Sequence, residues 1–149
     1  AMPGLRILGE PRANLFAFTA DDCDPFTIAE EMKARRWFVQ PQLGFGPSPA
    51  NVHLSVGASN APHVEEFLRD LAAAHAAARG AWRPDALRDV SLPAADAPPE
   101  AVLDELGAAL GSDGTALPER MDAVNRVLDR LPAELRDRLF VEFTNRLYA

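Results

Sequence analysis

Cysteine, lysine and tyrosine each occur once in the 149 residues, as Cys23, Lys33 and Tyr148, and histidine occurs three times. One cysteine excludes an internal disulfide framework and fits a reducing compartment, so a cytoplasmic location is expected. No apolar run approaches the ~18 residues of a membrane span, and the N-terminus carries no signal-peptide pattern. Positive charge is scarce as well: 15 Lys+Arg stand against 22 Asp+Glu, for a net charge of −7. Phosphate binding needs a basic field, so this balance argues against nucleic acid as a main partner. What remains is ordinary for a globular domain. The hydrophobic fraction is 48% and the charged fraction 25%, which excludes wholesale disorder. Fourteen arginines and 27 alanines give the composition the bias of a GC-rich genome.

Patterning predicts the elements in order. Ala1 and Met2 read as a vector-derived remnant ahead of an internal sequence. Leu5–Gly9 and Asn14–Thr19 are strand segments separated by a turn at Glu10-Pro11-Arg12. In the second strand Leu15, Ala17 and Thr19 share one face, and Phe16 and Phe18 the other. Asp24-Pro25 is a helix start, because the aspartate can cap free N–H groups and proline at the first position loses no hydrogen bond. This helix is expected to reach Arg36. A third strand is expected at Trp37–Gln40, a loop at 41–49, and a fourth strand at Asn51–Val56, where Val52, Leu54 and Val56 share a face. Val64, Phe67, Leu68 and Leu71 mark a second helix that ends near Arg79 and Gly80. Residues 81–98 read as a connector and 99–149 as a helical tail with three apolar stripes. Val102, Leu103, Leu106 and Leu110 form the first stripe, and Met121, Val124, Leu128 and Leu131 the second. Leu135, Leu139, Phe143 and Leu147 form the third. The order β-β-α-β-β-α followed by helices predicts an α+β fold, 1–149 as a single domain with one core. Its small four-stranded sheet is expected to be mostly antiparallel, with helices on one face.

No complete active site is visible, and no residue is assigned a catalytic, cofactor-binding or metal-binding role. Lys33 lies on the polar face of a helix one turn from Glu30, which makes it a solvated surface lysine rather than a desolvated nucleophile. Cys23 is flanked by Asp21, Asp22 and Asp24, whose charges raise a thiol pKa. The same aspartates lack the glycine and distal glutamate of a calcium loop. His63 and His75 are twelve residues apart on a regular helix and point about 120° apart, so they cannot share an ion. His53 interrupts the outer face of the fourth strand and is expected to be a hydrogen-bonded strand histidine, with contact to a missing domain as the alternative. Gly44-Phe45-Gly46-Pro47 lacks both phosphate-loop fingerprints.

Several segments together resemble a known family. Gly9-Glu10-Pro11, Asn14-Leu15-Phe16-Ala17-Phe18, Phe26–Met32 and Ala34-Arg35-Arg36-Trp37 are similar to the small C-terminal domain of pyridoxal-phosphate lyases, above all the sphingosine-1-phosphate lyase family. Arg35-Arg36-Trp37 stands where the family has a lysine-glycine-tryptophan turn, and Val52-His53-Leu54 matches its next strand. Gly114-Thr115-Ala116-Leu117 and the closing Phe143-Thr144-Asn145-Arg146-Leu147-Tyr148 match its tail. One departure is Pro118-Glu119, where many relatives carry Tyr-Gly near the active site.

The resemblance implies the C-terminal domain of a fold-type-I enzyme, with pyridoxal phosphate as electron sink in the parent and no cofactor on this chain. The family's Schiff-base lysine follows a histidine in an upstream large domain. No His-Lys pair occurs here, which implies that the catalytic domain is absent and the fragment inactive alone. The implied reaction cleaves phosphorylated sphingoid bases to a long-chain aldehyde and phosphoethanolamine, in a homodimeric parent. Two alternatives stay open: the small domain of an amino-acid decarboxylase, and a stand-alone protein-binding α+β module. A lid separated from its catalytic domain should expose an apolar patch and self-associate through it. Phe16, Phe18, Leu43 and Phe45 are the expected patch.

Overall fold

A computed structural model describes residues 2–83, 92–110 and 118–148. Residues 84–91 of the expected connector and the Gly114–Leu117 segment lie outside the described residues. The elements are β1 (Leu5–Leu8), β2 (Leu15–Ala20), α1 (Pro25–Ala34), β3 (Gln40–Gln42), β4 (Asn51–Ser55), a 3-10 turn (Ala61–His63), α2 (Val64–Ala81), α3 (Pro99–Leu110), α4 (Asp122–Arg130) and α5 (Ala133–Tyr148). The fold is α+β. Its sheet has the order β1-β2-β4-β3, and every pairing is antiparallel.

Phe18 pairs with Val52 and Phe16 with Leu54, so these four side chains share the face that the helices cover. Phe18 and Val52 are buried there with Ile28, Ala29 and Met32 of α1 and Leu71, Ala74 and Ala78 of α2. The alanines of α2 let the helix approach closely, and the larger side chains of α1 fill the space. On the opposite face Leu15 is exposed, but Thr19 is buried because its Oγ1 donates to the Ala50 carbonyl at 2.7 Å. Phe18 therefore belongs to the core and not to the exposed patch expected of it.

Both ends of α1 have a local explanation. Asp24 accepts from the Phe26 amide at 3.0 Å and from the Thr27 hydroxyl at 3.0 Å, as its position before Pro25 predicts. At the other end the Arg36 amide donates to the Lys33 carbonyl and the Trp37 amide to the Met32 carbonyl, at 2.9 and 3.0 Å. That pair of bonds is a Schellman cap, and it places Arg36 at φ 68° in the left-handed region that glycine favours.

The cap explains a displaced strand. Trp37 is still closing the helix, so pairing starts at Gln40 and β3 occupies Gln40–Gln42 rather than Trp37–Gln40. Pro41, expected in a loop, faces Val52 within β3. A proline is tolerated there because β3 is an edge strand.

The expectation of one core gives way to two. The chain divides into compact units at residues 84/85. In the second unit Val102, Leu131, Leu135 and Leu139 are buried, with Leu103, Leu106 and Leu128 packed against them. Arg146 ties α5 to α3 through Asp104 at 2.7 Å and the Glu100 carbonyl at 3.2 Å. Leu147, expected on the inner stripe of α5, is exposed with Phe140, Val141 and Tyr148.

Candidate functional site

Lys33 sits near the end of α1, with its Nζ 3.5 Å from a Glu30 carboxylate oxygen and more than half of its side chain exposed. A hydrated, paired ammonium is a poor Schiff-base nucleophile, since that chemistry needs the lysine desolvated. The only lysine of the chain thus does not fit a covalent pyridoxal phosphate site.

Gly44-Phe45-Gly46-Pro47 forms a tight turn in which Phe45 and Ser48 exchange backbone bonds of 2.9 and 3.0 Å. The Phe45 amide is used in closing that bridge. Phe45 projects into solvent, as the expected patch requires.

The β2–α1 loop and α2 build a cluster that the sequence conceals. His75 Nε2 lies 2.8 Å from Asp22 Oδ1, and Arg79 Nε lies 3.1 Å from Asp22 Oδ2. His75 and Arg79 are one helical turn apart, so both reach the same carboxylate from one face of α2. Gly4, at φ 90°, passes directly over that carboxyl, where a Cβ would overlap it. The hydrogen bond with His75 lowers the Asp22 pKa, and the charges of His75 and Arg79 add to the effect against desolvation.

Cys23 is buried next to this cluster, and burial together with the Asp22 and Asp24 charges pushes its thiol up to about 12. A thiol that stays protonated at neutral pH is no nucleophile. Donor atoms of Asp22, Cys23 and His75 lie within 4.8 Å of one another. Arg79 already supplies the positive charge there and the thiol keeps its proton. The Asp22 carboxylate thus ties the loop to α2 through His75 and Arg79. The helical spacing of His63 and His75 gave no hint of Asp22, which is 53 residues from His75. His63 stands apart at the start of α2, 3.9 Å from Glu66.

Among the described residues, a groove of about 410 Å³ lies beside β4. Trp37 and Phe38 form one wall, His53 to Ser55 of β4 together with Val56 the floor, and Asn60, Ala61, Val64, Phe67 and Leu68 the other wall. No Asp, Glu, Lys or Arg lines it. Trp37 is fixed twice, by Nε1–H donating to Asp70 at 2.8 Å and by an edge-to-face contact with Phe67 at 5.2 Å. Asn60 fixes the loop after β4, accepting from the Gly57 amide and donating to the Ser55 carbonyl. Phe38, held between the helix cap and β3, is 93% exposed. His53 lies on the groove in partial burial, opposite Ala17 and Gln40. Of the four residues expected to form the exposed patch, Phe16 reaches this groove. Phe38, Val56, Val64 and Leu68, all exposed, were not foreseen as members.

Comparison with known proteins adds two findings. The family described as pyridoxal-dependent enzyme, C-terminal putative HTH domain matches residues 68–146, more than half of the chain. A sphingosine-1-phosphate lyase from Oryza sativa subsp. japonica is 31% identical over 70 residues, a match covering 47% of this chain and 12% of the lyase.

Proposed function

Because the chain belongs to this family of C-terminal domains of pyridoxal-dependent enzymes, we propose that it serves as the small domain of a carbon–carbon lyase. The reaction assigned to the complete enzyme is cleavage of a phosphorylated sphingoid base to a long-chain aldehyde and phosphoethanolamine. The observation that carries the substrate class is the 31% identity with a sphingosine-1-phosphate lyase. Pyridoxal phosphate supplies the electron sink in such enzymes. Since Lys33 does not suit it, the cofactor belongs to another domain of the complete enzyme, and this chain alone is inactive.

The complete enzyme is further proposed to be a cytoplasmic homodimer. The net charge of −7 over the 149 residues supports a protein partner over nucleic acid. Pro118-Glu119, in place of the Tyr-Gly of the resembled family, is assigned a part in tuning substrate preference.

The test starts with the source gene upstream of the codon for Leu5. An open frame encoding a large domain with a His-Lys pair is expected. The purified product, loaded with pyridoxal phosphate, should release aldehyde and phosphoethanolamine from a phosphorylated sphingoid base. Release of CO2 from an amino acid instead would move the assignment to a decarboxylase. A stop codon immediately upstream would leave a stand-alone binding module.

A further inference from the structure

The groove beside Trp37 has walls that are already built. Trp37 is clamped by Asp70 and Phe67, and Asn60 pins the turn after β4. The Schellman cap fixes the backbone just before Phe38, the most exposed aromatic residue beside the groove. Val56, Val64 and Leu68 continue the apolar surface from Phe38 across the groove. Rigid aromatic anchors next to an apolar cleft are the usual source of binding energy at a protein interface, because little side-chain freedom is lost on docking.

Two observations select the occupant. The lining contains no Asp, Glu, Lys or Arg, as in an obligate interface that resembles a domain core cut in half. The match also covers only 12% of the length of the lyase, so an enzyme of that kind has ample surface to fill the cleft. A second copy is the poorer occupant, since each copy carries a net charge of −7 and the groove has no compensating positive charge.

We propose that this groove, anchored by Phe38, walled by Trp37, Val64 and Leu68 and floored by Leu54, is the seat on which the catalytic domain of the same polypeptide docks. The inference rests on the assignment of the chain as a small domain of a larger enzyme, but not on the substrate of that enzyme. It makes the exposed apolar surface of the first unit an interior of the complete protein.

Cysteine labelling reads this directly, because Cys23 is buried with its thiol held protonated and stays silent. L68C and V64C are prepared in the 149-residue chain and in the complete polypeptide and treated with N-ethylmaleimide. Modification at each site is followed by peptide mass spectrometry. R12C, at a residue far into solvent, serves as the control that labels alike in both forms. The expected result is labelling at positions 64 and 68 at least about tenfold slower in the complete polypeptide. Adding F38S should restore most of the rate. Equal rates in the two forms overturn the proposal. Protection that grows with concentration in the 149-residue chain would assign the groove to a second copy and also overturn it. Protection in a polypeptide without lyase activity would remove the substrate assignment and leave the docking surface standing, whereas lyase activity without protection would do the reverse.

Discussion

Replacing Arg36 by glycine should stabilise the protein. Arg36 is the residue after the cap of α1, at φ 68°, and its amide and that of Trp37 close the Schellman bonds. An L-residue with a Cβ costs roughly 1–2 kcal/mol in that conformation. Glycine removes this strain and gives back about 0.5–1 kcal/mol through the greater freedom of the unfolded chain. The balance is a gain of about 0.5–1 kcal/mol, which in a unit of this size corresponds to a rise in melting temperature of about 2–8 °C. Thermal unfolding followed by far-UV circular dichroism measures it, with Arg36→Ala as the control. Alanine keeps the Cβ and should give no gain. A glycine variant no more stable than the parent, or an alanine variant equally stabilised, would refute the argument from backbone strain. The resembled family carries glycine at this place, so the substitution restores a residue that the cap geometry favours.

Three further outcomes are expected. Asp22→Asn should lower stability at pH 7 by about 1 kcal/mol, a charged hydrogen bond discounted for partial exposure. Because the folded pKa of Asp22 is depressed, its contribution is present above the unfolded value of about 4 and fades as pH falls through the folded one. Denaturant titrations of parent and variant should therefore converge in strong acid, and a constant gap would contradict the ion-pair account. Cys23 should resist alkylation at pH 7–8 in the folded protein and react on denaturation, since burial and the neighbouring carboxylates push its thiol to about 12; rapid native-state labelling would show that the loop opens. Asp24→Ala removes the acceptor of the Phe26 amide and the Thr27 hydroxyl, and should cost about 1–2 kcal/mol in the same titrations.

Local signals carried most of the fold. Asp24-Pro25 announced the start of α1, and the alternation through Val52 and Leu54 placed β4 within a residue of its observed end. Tertiary contacts decided what those signals could not. The apolar run at Trp37-Phe38-Val39 reads as a strand by composition. Trp37, however, is engaged by Asp70 and Phe67 of α2, and the cap postpones pairing to Gln40. The second apolar cluster was hidden for another reason. Its stripes on α3 and α5 have the same spacing as those of α1 and α2, and periodicity shows that a face is buried without showing against what.

The candidate site divides along the same line. Negative readings, such as a solvated Lys33 and an unreactive Cys23, depend on near neighbours in the chain, and the neighbours on the page agree with them. The Asp22–His75–Arg79 tie joins residues more than fifty positions apart, so no spacing rule could propose it. The groove was half legible. Phe16 was expected to be uncovered, but Phe18 on the same strand face was not separable from it until the pairing with Val52 placed one in the core and the other near the sheet's end. Phe38 is the instructive residue. By sequence it is one more apolar side chain in a strand, yet the cap behind it and the edge strand ahead leave it in solvent at 93% exposure. A large ring left in water is hard to account for by the stability of the first unit alone. A surface that becomes interior in a larger protein accounts for it, and the family membership of the chain supplies the larger protein that the groove needs.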